Sequence, residues 1–84
     1  MKFEVRYSEE AVLQMGNLEK ALVVRIVRKI SAVENDPFSY FERLQGRQEY
    51  KLRVGDYRVI ANIDEGKRIV FIRTVGHRKN VYQR

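Results

Sequence analysis

Residues 50–58 read YKLRVGDYR, and the rest of the chain is arranged around that stretch. Tyr50, Leu52 and Val54 alternate with Lys51 and Arg53, the period-two pattern of a half-buried strand, and Tyr57-Arg58-Val59 resumes it after Gly55-Asp56. A two-residue Gly-Asp link between two such runs predicts a tight hairpin. Its cross-strand pairs are then Val54 with Tyr57, Arg53 with Arg58, Leu52 with Val59 and Lys51 with Ile60, and paired residues share a face. Lys51, Arg53 and Arg58 therefore point the same way. Like charges set opposite one another destabilise a sheet, so this clustering asks for a reason. Cationic stems lying over Ile60 on a solvated face would be one reason. A surface meant for a polyanion accounts better for three cations with no Glu or Thr among them.

Upstream, Phe3, Val5 and Tyr7 alternate with Lys2, Glu4 and Arg6, which predicts a first strand with one buried face. Ser8 is suited to cap a short helix running to about Gly16, with Glu9 and Glu10 in its first turn. Gly16-Asn17 breaks that helix, and Asn17 is placed to cap the next. Leu18, Leu22, Ile26, Ile30 and Val33 then recur at helical spacing, widened by Ala21, Val23 and Val27, and read as core. Lys20, Arg25, Arg28 and Lys29 read as its solvated outer face. Asn35-Asp36-Pro37 stops the helix. Residues 38–48 read as a connection anchored by Phe38 and Phe41.

Downstream, Val59 to Ile63 completes a third strand, Asp64-Glu65-Gly66-Lys67 is a turn, and Arg68 to Val75 is a fourth strand. Leu52, Val54, Val59, Ala61 and Ile63 make the face that packs on the helices, and Glu49 falls on the basic face, where it can pair with Lys51 or Arg53. A bulge at Gly66 would exchange the faces of Phe71 and Ile72, so the register of the last hairpin leaves open whether Arg73 joins the cluster. The predicted class is α+β in a single domain over residues 1–84: an N-terminal strand, a two-helix antiparallel hairpin, then a three-strand antiparallel meander, in one sheet packed on the helices.

The totals narrow the function. Eighty-four residues make one domain with a modest core. There is no cysteine and a single histidine, His77, so disulfides and thiolate metal sites are excluded and a metal cluster is not expected. Residues 1–42 carry a formal charge of −1 and residues 43–84 carry +7, which concentrates the whole excess in the half that holds the hairpin. Such asymmetry points to nucleic acid or an acidic protein. No secretory signal or membrane span is visible, and a cytoplasmic protein is expected. Phosphate-binding glycine loops, nucleophile elbows and acidic magnesium clusters are missing. A metal-free RNase fits what is left, because RNA carries its own nucleophile in the 2′-OH. Cleavage then needs a base for that proton, cations for the pentacovalent phosphorane and an acid for the 5′-oxygen.

The first strand, the two helices, YKLRVGDYR, and a last strand ending VGHRKNVY at 75–82 together resemble the RelE branch of the RelE/ParE toxin superfamily across nearly the whole chain. That resemblance implies the toxin of a type II toxin–antitoxin pair, a ribosome-dependent endoribonuclease (mRNA interferase) that blocks translation by cutting mRNA in the ribosomal A site without a cofactor. Its catalytic residues match Lys51, Arg53, Arg58, Arg78 and Tyr82, the tyrosine stacking on the substrate base. Arg73, His77 and Lys79 are expected to contact RNA, and His77 could equally serve as a base or stand in an exposed turn. The proton-transfer role is open among Lys51, Arg78 and Tyr82. The implied partners are an acidic RelB-like antitoxin, the ribosome and mRNA, and, with the antitoxin, operator DNA. A ParE-like toxin that poisons gyrase through protein contacts, or an inactive nucleic-acid-binding member, are the alternatives.

Overall fold

The computed structural model describes residues 2–79. Strand β1 (Glu4–Tyr7) leads into helix α1 (Glu9–Gly16), and the Ser8 hydroxyl caps the helix by accepting from the Ala11 amide at 3.0 Å. Asn17 does not cap the following helix. It closes α1 instead, its backbone amide donating to the Gln14 carbonyl at 3.1 Å and its side chain to the Leu13 carbonyl, while the Leu18 amide takes the Met15 carbonyl. Helix α2 (Lys20–Ala32) therefore starts behind Glu19 with no side-chain cap. It ends at Val33, ahead of Pro37, which opens a single 3-10 turn (Pro37–Ser39).

The sheet has five strands rather than four. After the 3-10 turn come β2 (Glu42–Arg43), β3 (Tyr50–Val54), β4 (Tyr57–Asp64) and β5 (Ile69–His77), in the order β1-β5-β4-β3-β2. β1 runs parallel to β5, which the crossover through α1 and α2 makes possible, and the other neighbours are antiparallel. β2 pairs Glu42 with Lys51 and Arg43 with Tyr50. Two residues carry no readable period, and what holds them at the edge is the buried Phe41 beside them together with the Leu44 amide donating to the Glu49 carbonyl at 2.9 Å.

One face of the sheet meets the helices. Ile26, Ile30 and Val33 from α2, Phe3, Ala11 and Phe41 pack on Leu52, Val54, Val59, Ala61, Val70, Ile72 and Val75. The α2 stripe is narrower than its sequence suggests, since Ala21 and Val27 are exposed; Val24 on α2 and Val12 and Leu13 of α1 are exposed as well. Burial there also pushes the Tyr7 phenol above its usual range, helped by the nearby Glu34 carboxylate.

Candidate functional site

The β3–β4 hairpin has the register its sequence dictates. Gly55 turns in the left-handed region at φ +60°, and the pairs are Val54 with Tyr57, Arg53 with Arg58, Leu52 with Val59 and Lys51 with Ile60. Lys51, Arg53 and Arg58 thus stand on the sheet face away from the helices. Lys51 Nζ lies 3.5 Å from Glu42 on the neighbouring edge strand. Arg53 donates through Nε to the Gly55 carbonyl at 3.4 Å. Arg58 donates through Nη1 to the Tyr57 carbonyl at 3.5 Å, while its Nε is buried with no partner. Glu49 pairs with Arg47, at 3.5 Å, and not with Lys51 or Arg53. Among the described residues the cationic trio makes one ion pair, Lys51 with the exposed Glu42.

A bulge decides what β5 adds. Ile60 pairs with Thr74 and Ala61 with Ile72, which leaves Arg73 as the extra residue, so the irregularity lies at Arg73 and not at Gly66. Helix α1 pins it: the Ser8 amide donates to the Ile72 carbonyl at 2.8 Å and the Ser8 hydroxyl to the Arg73 carbonyl at 2.7 Å. Gln14 Oε1 accepts from the Val75 amide at 2.6 Å and from the Thr74 hydroxyl at 3.0 Å. Phe71 and Thr74 consequently stand on the cationic face, while Val70, Ile72 and Val75 face the core. Arg73 joins the cationic face too, bonded to Asn62 Oδ1 at 3.1 Å.

Beyond the bulge, Gly76 lies opposite Arg58 and His77 opposite Tyr57. His77 therefore shares the face of Val54 and Tyr57, with its ring edge-on to Tyr57 at 5.5 Å, and is separated from the three cations by the thickness of the sheet. Arg78 follows with the parity of Gly76, exposed, its amide donating to the Asp56 carbonyl at 2.9 Å. Lys79 is exposed just past the strand, its amide held by His77 Nδ1 at 3.2 Å. Tyr82 lies outside the described residues.

Two further surfaces escaped the sequence reading. Arg25 leans on the hairpin turn, with its Nη2 3.2 Å from where a Cβ on Gly55 would sit. Arg25, Arg28 and Lys29 are exposed, as expected of the outer face of α2, and they also line a shallow depression with Arg53 at the hairpin tip. Separately, Tyr7, Val12, Met15, Val23 and Val27 line an apolar groove of about 340 Å³ between the helices. The adjacent Val12-Leu13 pair on so short a helix was the available signal, since both cannot face one core. Among the described residues no acidic or histidine cluster could hold a metal, and no helix is long and apolar enough to cross a membrane.

This architecture is shared with solved toxins. A double arginine-to-alanine mutant of the E. coli toxin RelE in the free state superposes with a TM-score of 0.81 at 22% identity, covering 96% of this chain and 88% of that one. The RelE–RelB complex of Pyrococcus horikoshii gives 0.80 at 24% identity, covering 96% and 100%. The RelBE2 toxin–antitoxin complex of Mycobacterium tuberculosis gives 0.80 at 21%, covering 92% and 99%. No curated protein matches significantly. The fold is thus that of the small toxins of the RelE/ParE superfamily. Residues 5–82 match the family described as the ParE toxin of type II toxin–antitoxin systems, and the chain belongs to that family.

Proposed function

We propose that this toxin is a ribosome-dependent endoribonuclease that cuts mRNA in the A site. The observation that carries the reading is the cationic face. Arg53 and Arg58 are held opposite each other at a cost to the sheet, and Arg58 keeps a buried Nε without a partner. A phosphate group is the partner that would repay both. Lys51, Arg53 and Arg58 hold the scissile phosphate and stabilise the charge of the phosphorane, and Arg78 approaches from the end of β5. Tyr82 stacks on a base, and one of Lys51, Arg78 and Tyr82 transfers the proton of the 2′-OH. Arg73 and Lys79 add phosphate contacts. His77, on the opposite face, contacts RNA only at the sheet's end.

An acidic RelB-like antitoxin neutralises the protein in the cytoplasm, laying an apolar helix along the Val12–Val27 groove and its acidic residues over the cations. The pair together binds operator DNA. The name of the matched family favours a second reading, a toxin that inhibits gyrase through protein contacts. Primer extension on an mRNA translated in vitro separates the two. New 5′ ends that need both ribosomes and the protein are expected. No ends, together with loss of gyrase supercoiling, would replace the first reading with the second.

A further inference from the structure

The cationic face has one apolar opening. Ile60, 6% exposed, and Phe71 floor a depression of about 310 Å³ whose rim carries Arg47, Glu49, Arg73, Thr74 and Glu10, the last bonded by Gln14. Ile60 is the direct cross-strand neighbour of Lys51, so the depression adjoins the proposed phosphate site. The two carboxylates on this rim offset its two arginines, so the depression holds no net positive charge for a phosphate and its floor is apolar. A flat heteroaromatic ring suits it, because its faces want apolar or aromatic contact and its edge wants hydrogen-bond partners.

We propose that this depression is a nucleobase pocket, in which Phe71 and Ile60 take the ring and Glu49 reads the edge of an RNA base beside the phosphate held by Lys51 and Arg58. The ion pair of Glu49 Oε1 with Arg47 Nε is long, at 3.5 Å, so both carboxylate oxygens keep lone pairs with which to accept from a base. A carboxylate only accepts, so it selects bases with adjacent donors on one edge. Guanine offers two and uracil one. The placement beside a scissile phosphate rests on the RNA-cutting reading, but the pocket's affinity for a base does not.

The test titrates the isotopically labelled protein with GMP, UMP and ribose 5-phosphate, following backbone amides by NMR. GMP should move Ile60, Phe71 and Thr74 and bind roughly tenfold more tightly than UMP, the scale of one bidentate edge contact. Glu49→Gln should remove that difference, and Phe71→Ala should weaken both nucleotides. Glu49→Gln keeps the proposal testable should Phe71→Ala fail to fold. Equal affinities for GMP and UMP, shifts reproduced by ribose 5-phosphate, or no change in Glu49→Gln would each overturn the pocket. In a parallel arm, the bases at the mRNA cut sites should lose their bias in Glu49→Gln. A wild type that makes no cuts but still prefers GMP would sink the nuclease reading and leave the pocket standing.

Discussion

Arg53 and Arg58 face each other across a two-residue turn, and Arg58 buries a nitrogen that no protein atom satisfies. Both features work against folding, so relieving them should stabilise the protein while disabling it. Arg58→Thr puts a strand-favouring residue in place, ends the repulsion and removes the orphan donor. Thermal melting should show a gain of about 0.2–1 kcal/mol. Cleavage of ribosome-bound mRNA should fall on the order of a hundredfold to a thousandfold, as for loss of one oxyanion donor. A variant that melts earlier than the wild type would mean that Arg58 is there for packing. These residues were readable in advance because each strand of the hairpin carries its own alternation and the Gly-Asp turn leaves one register. Glu49 was not: its parity was right, but the partner it takes, Arg47, is supplied by the turn through Gly46 (φ +74°), where no periodicity helps.

The bulge in β5 sets which residues join the cationic face, and α1 holds it in place. Gln14 does most of this, since its Oε1 is the acceptor for the Val75 amide at 2.6 Å. Gln14→Leu fills the same space and orphans that amide, at a cost of about 1–3 kcal/mol. Gln14→Glu keeps an acceptor. Hydrogen exchange should therefore accelerate at Val75 in Gln14→Leu and stay near the wild-type rate in Gln14→Glu, with RNA cleavage following the same order. Equal protection in both variants would show that the bulge is set within the sheet. No reading of β5 alone could place it, because the deciding side chain lies about sixty residues upstream. β2 was hidden for a different reason, being two residues long and held by neighbours. The two helices, by contrast, were legible from spacing; Asn17 moved from starting α2 to ending α1, and the buried stripe of α2 lost Ala21 and Val27.

At the scale of the molecule, charge and apolar surface are separated. The sheet presents Lys51, Arg53, Arg58 and Arg73 on one side, and the helices present the groove of Val12, Met15, Val23 and Val27 on the other. The sequence announced the first through the +7 charge of residues 43–84 and hid the second inside what read as a core stripe. The proposed RNA-cutting surface and the proposed antitoxin-binding surface thus fall on opposite sides of one small domain. The most direct measurement is cleavage of a ribosome-bound mRNA carrying a single 2′-deoxynucleotide on the 5′ side of a mapped cut. The account predicts that this cut disappears while cuts elsewhere on the same message persist, because the missing 2′-OH is the nucleophile. A cut that survives at the deoxynucleotide would contradict it.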